Sequence, residues 1–150
     1  MAVTLRELSV NEAGRGWTHE ISFLYSDFTE TTNATKETKD VTITGRLKDV
    51  GLYVTESFEG GAVTDTDIQV GTTADDDLYI AATDSYGATA VAINSGTGLD
   101  TEKEVTTYDS GASLRIALTP ATGNNAELTQ GKAVVRLNLV SQSRSVWVYF

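Results

Sequence analysis

About ten short runs of alternating apolar and polar residues, separated by Gly- and Asp-bearing turns, limit what this chain can fold into. Side chains on a strand point to opposite faces in turn, so each run has one dry face and one wet face. Ile21, Phe23 and Tyr25 alternate with Glu20, Ser22 and Leu24, and Val41, Ile43 and Leu47 oppose Thr42, Thr44 and Arg46. Leu114, Ile116 and Leu118 oppose Ser113, Arg115 and Ala117, while Ala133, Val135, Leu137 and Leu139 oppose Lys132, Val134, Arg136 and Asn138. Further strands are expected over 3–8, 50–58, 62–70, 77–82, 88–93 and 103–108. Glu59-Gly60-Gly61 and Asp109-Ser110-Gly111 read as short links, the second as a hairpin joining 103–108 to 112–119. A single helical turn near 126–130 or 75–78 is the most helix expected. The pattern predicts an all-β chain, an antiparallel β-sandwich of jelly-roll type with no substantial helix.

At 150 residues the chain suits one domain over 1–150, enough to bury roughly two-thirds of its unfolded surface. The polar stretch 29–39 (TETTNATKETK) is expected as an exposed loop and 145–150 as a terminal strand. There is no cysteine, which removes disulfides and thiolate metal sites. Lys and Arg total 11 against 21 Asp plus Glu, a net charge of −10, and the cations are scattered singly. Nucleic acid is therefore not an expected partner, since phosphate binding needs clustered cations. No apolar run approaches the ~20 residues of a spanning helix, and the N-terminal residues lack a signal-peptide layout. Synthesis in the cytoplasm, with no membrane partner, is the expectation.

Motifs for catalysis are missing. His19 is the only histidine and shares a strand face with Ile21 and Phe23. No Gly-x-Ser-x-Gly elbow occurs, and Gly131-Lys132 is followed by Ala133 where a phosphate loop needs a hydroxyl. Gly14-Arg15-Gly16 lacks the third glycine of a dinucleotide fingerprint. No catalytic residue, no cofactor and no enzyme activity are expected. Asp65, Asp67, Asp75, Asp76 and Asp77 are weak calcium candidates, because loop carboxylates are the usual source of calcium's oxygens. Their spacing is not that of an EF-hand, and a solubilising charged turn is the competing reading. Trp17, Tyr53, Tyr79, Tyr86, Tyr108 and Trp147 form the pool from which a sugar-stacking site would be drawn.

The last six residues break the alternation. Val146, Val148 and Phe150 occupy one face and Trp147 and Tyr149 the other, so both faces are apolar. Large aromatics are poorly placed on a wetted face. Either this strand lies between two layers or another subunit covers its second face.

Three stretches resemble the jelly-roll decoration (cement) and head-associated structural proteins of tailed bacteriophages. They are 20–29 (EISFLYSDFT), the block 49–82 with its Phe58-Glu59-Gly60-Gly61 turn, and 128–132 (LTQGK) running into 133–140. The resemblance implies a non-enzymatic virion structural protein, a homotrimer on the outer capsid surface that bridges subunits of the major capsid protein. The apolar end, Val146 to Phe150, is the expected interface. A phage tail or fibre module, or a free-standing carbohydrate-binding β-sandwich, is the alternative.

Overall fold

Between 41 and 58 the buried side chains change phase once, from odd positions through Leu47 to even positions from Val50 onward. A bulge does this: one extra residue on one strand swaps the faces of everything after it. The computed structural model, which describes residues 3–9, 16–94 and 106–140, places such a bulge there. Leu47 pairs with Leu139 but Asp49 with Asn138, so Lys48 is the extra residue. The two strands expected at 41–47 and 50–58 are accordingly one, β3 (Glu37–Glu59), bent near Gly45, whose φ of 111° is open to glycine.

Around β3 stand β1 (Leu5–Glu7), β2 (His19–Leu24), β4 (Thr66–Thr72), β5 (Ile80–Asp84), β6 (Ala90–Asn94), β7 (Thr106–Pro120) and β8 (Gln130–Val140). Short 3-10 turns cover Tyr25–Asp27 and Asn125–Glu127. Every pairing among the described residues is antiparallel. One sheet runs β1-β2-β8-β3-β6 and uses the second half of β3; the other runs β3-β7-β4-β5 and uses the first half. The two sheets pack as a sandwich. The pairs are nested in the chain: β2 with β8, β3 with β7 and then β6, β4 with β5.

The expected hairpin at Asp109-Ser110-Gly111 is not formed; these residues lie inside the continuous strand β7. Between Ile43↔Ala112 and Gly45↔Thr107, β3 advances two residues and β7 five, so three surplus residues are absorbed as an irregularity of the ladder. The residues suit a turn, but the partner on both sides is β3, which keeps the chain running in one direction. β5 also begins later than the expected 77, because residues 73–79 fold back over Gly71: Thr72 N–H donates to Asp75 O (2.7 Å) and Tyr79 N–H to Val70 O (3.0 Å).

The inward faces meet in one core, in which Ile21, Ile43, Leu52, Ile68, Ile116 and Leu137 are fully buried. Phe23, Phe28 and Phe58 form its aromatic centre, with ring centroids 5.9 and 6.1 Å apart. At one end of the sandwich two buried hydroxyls add to the backbone bonds from Ser85 N–H to Thr66 O and from Phe58 N–H to Ser85 O (2.8 Å each). Thr66 Oγ1 donates to Phe58 O (3.1 Å) and lies 2.9 Å from Ser85 Oγ, which donates to Thr66 O (3.0 Å). The group ties the end of β3 to the start of β4 and the exit of β5. Buried hydroxyls are costly when a partner is removed. Thr66→Val should therefore lower stability by about 1–3 kcal/mol, read as a lower urea midpoint with an unchanged m-value.

Candidate functional site

Two surfaces stand out, one on each sheet. On the outer face of the five-stranded sheet, cross-strand register sets two rows, Glu20–Arg136–Gly51–Ile93 and Ser22–Val134–Tyr53–Val91. Side chains opposite one another in a ladder touch, so these rows act as units. Gly51 leaves a gap that the indole of Trp17 fills: a Cβ at Gly51 would sit 2.9 Å from the Tyr53 ring and 3.1 Å from Trp17. Trp17 meets Tyr53 edge-on, centroids 6.4 Å apart and planes at 88°. The Arg136 guanidinium lies over the Tyr53 ring, 5.4 Å from its centroid, with Nε 3.8 Å from Glu20 Oε2. Arg6 reaches the same carboxylate across the β1–β2 ladder.

Beyond Tyr53 the face is bare and apolar. Val91 is 63% and Ile93 36% exposed, the exposed large hydrophobics among the described residues, while Ala90 and Ala92, alternating with them, pack against the core. A soluble surface carrying Tyr, Trp, Arg and neighbouring aliphatics has the composition of the centre of a protein interface. Sequence reading passed over Val91 and Ile93, since 88–93 read only as one more strand. The alternation of small inward and large outward apolar residues was the available signal.

On the other sheet the far edge of the outer face is acidic. Asp67 and Asp84 are direct partners across the β4–β5 ladder, and with Asp65 they bring carboxylate oxygens within 4.8 Å of one another. Burial and then the charges of Asp65 and Asp84 hold the Asp67 carboxyl above its ordinary range. Three carboxylates supply only part of the six to eight oxygens calcium takes. Of the five sequence candidates the structure brings together Asp65 and Asp67, and adds Asp84, invisible until the hairpin register is known. Asp75, Asp76 and Asp77 lie instead on the turn between β4 and β5. Asp76 pairs with Lys36, and a hydrogen bond that protonated Asp77 donates to Asp75 lifts Asp77 above the ordinary carboxyl range.

The remaining candidates separate. His19 Nδ1 lies 2.8 Å from Thr18 Oγ1, a hydroxyl that braces β8 by accepting from Leu139 N–H (2.9 Å). Trp17 and Tyr79 are buried, the Tyr79 phenol pushed up to about 12 by burial. Tyr86 is half-buried. The side chain of Tyr108, and Val146, Trp147, Val148, Tyr149 and Phe150, lie outside the described residues.

The acidic corner yields a sign-definite pH test. With its folded-state pKa raised, Asp67 binds its proton more tightly in the native chain than in the unfolded one. Its ionisation therefore costs stability as pH rises from the normal carboxyl range through the raised value, and has no effect below both. Asp67→Asn should be more stable than the parent at pH 7, by a few tenths of a kcal/mol or about what screened surface charges give. The gain should vanish below about pH 4 in thermal melts run with EDTA. No family model matches the chain, and no curated protein matches it in sequence.

Proposed function

We propose that this is a non-enzymatic virion structural protein, a capsid decoration protein of the outer head surface that bridges and stabilises major capsid protein subunits. The observation that carries the reading is the outer face of the five-stranded sheet, where Val91 and Ile93 stand in water beside Tyr53 and Arg136. Contiguous apolar surface of this kind marks a contact with another macromolecule. Arg136 already covers a face of the Tyr53 ring, which favours a protein surface over a stacked sugar. The acidic corner at Asp65, Asp67 and Asp84 suits a position outside the shell, away from packaged DNA.

The jelly-roll form belongs to the same proposal. Support comes from the nested pairing, and from β6 and β7, which follow one another along the same side of β3 as it crosses both sheets. Self-association as a homotrimer, through Val146, Trp147, Val148, Tyr149 and Phe150, completes the reading. On a shell, each copy adds apolar contact at ~25 cal/mol per Å², less the entropy of docking.

Two measurements test it. Particles lacking the protein should release DNA at a lower temperature than complete ones, and purified protein added back should restore the difference. Val91→Asp with Ile93→Asp places charge in the patch without touching the core. The double variant should keep its melting temperature within a few degrees and lose at least ten-fold in particle binding. Equal heat resistance with and without the protein, or undiminished binding by the variant, would refute the reading.

A further inference from the structure

The outer face of the five-stranded sheet holds a cation whose hydrogen-bond donors are unspent. Two arginines share the carboxylate of Glu20, and Arg6 takes its Oε1 through Nε (3.2 Å) and Nη2. Arg136 is left with Oε2 at 3.8 Å, beyond hydrogen-bond distance, and its buried Nε–H has no acceptor among the described residues. The guanidinium is nonetheless held in place over the Tyr53 ring, and the side chain is 37% exposed. Ile93 stands in the same cross-strand row beyond Gly51, and Val134, Tyr53 and Val91 form the next row. An uncommitted cation thus sits on the same face as the exposed aliphatics.

We propose that this face receives an acidic, aliphatic segment of a partner protein, its carboxylate seated on the Arg136 guanidinium and its aliphatic side chains on Val91 and Ile93. The inference rests on the reading of this face as a contact surface and adds the chemistry the partner must bring. A guanidinium offers its N–H groups in a planar fork that matches the two oxygens of a carboxylate. Docking would give those donors the acceptor that Glu20 does not supply, and would dry the aliphatics in the same step. The Tyr53 ring already restrains the guanidinium, so little freedom is lost when the carboxylate arrives.

Other occupants fit this chemistry less well. The phosphates of a nucleic acid call for clustered cations, whereas Arg136 stands beside Val134 and Tyr53 in a chain of net charge −10. A stacked sugar needs an open ring face, and the guanidinium lies over that of Tyr53. A second copy would have to bring a carboxylate flanked by exposed aliphatics. Its acidic cluster, Asp65, Asp67 and Asp84, has Thr64, Thr83 and Thr119 beside it instead. The exposed large hydrophobics among the described residues are Val91 and Ile93 themselves.

Three full-length variants test this on particles lacking the protein. Arg136→Gln should weaken binding at least about ten-fold, chiefly through faster dissociation, as expected of a desolvated charge pair. Arg136→Lys keeps the charge without the fork and should fall between Arg136→Gln and the parent. Glu20→Gln removes the competing carboxylate and should bind more tightly than the parent, an effect that a merely structural role for Arg136 would not produce. Binding by Arg136→Gln equal to the parent's, or weaker binding by a folded Glu20→Gln, would overturn the proposal and leave the capsid reading standing. If the parent itself does not bind particles, the capsid reading falls and a simpler probe decides the carboxylate. A peptide of three Leu-Asp repeats, capped at both ends and added at millimolar concentration, should shift the NMR signals of the Val91 and Ile93 methyls and of Arg136 Nε–H. The same peptide with Asn for Asp should not. Equal shifts from both peptides, or none from either, would overturn the proposal. So would a dimer of the protein alone, seen by sedimentation, that Arg136→Gln dissociates, since the occupant would then be a second copy.

Discussion

Everything in this sandwich depends on β3 keeping a hydrogen-bonded ladder while its apolar side turns from one layer to the other. Backbone donors and acceptors buried without partners are costly, so a strand cannot simply stop in the core and restart. β3 satisfies both demands with an extra residue at Lys48 and a glycine at Gly45 in a conformation other residues avoid. Val41 and Ile43 are thereby delivered to one sheet, and Val50, Leu52, Val54 and Phe58 to the other, all facing the same core. β2, β7 and β8 then have a template on which their own alternation can be registered.

That explains which features were legible in the sequence. Alternation with period two is local, so the class of fold and the strands β2 and β8 could be read directly, with the inward residues Leu114, Ile116 and Leu118 of β7 and Ala133, Val135, Leu137 and Leu139 of β8. The phase change between Leu47 and Val50 was equally present, but it reads the same whether the chain bulges or breaks. Asp109-Ser110-Gly111 shows the limit from the other side: residues suited to a turn became an irregularity because β3 pairs before and after them. Candidate sites fared worse, since they are made by register between distant segments. Asp84 joins Asp67 only across a hairpin, and Tyr53 acquires Trp17 from the approach to β2 and Arg136 from β8. Neither grouping has a footprint in residue spacing.

Gly51 links fold to surface in a single position. Without a side chain there, Trp17 can lie flat enough to make its edge contact with Tyr53, and Tyr53 in turn holds up the Arg136 guanidinium. Arg136 and Arg6 share Glu20, so the rigid part of the face extends to the edge strand β1. Rigid anchors lose little freedom when another surface docks on them, which is why such residues contribute disproportionately to binding. Val91 and Ile93 add apolar area beside that rigid centre.

The distribution of ionised groups has a consequence for how the molecule meets a partner. On the outer face of the five-stranded sheet Arg6 and Arg136 share Glu20, and Lys132 stands opposite Glu56. At the far edge of the other sheet Asp65, Asp67 and Asp84 instead crowd one another. Like charges so placed repel an anionic surface within the ~8–10 Å over which salt lets the field persist. Close approach by such a surface would meet least opposition at the charge-matched face, where Val91 and Ile93 stand.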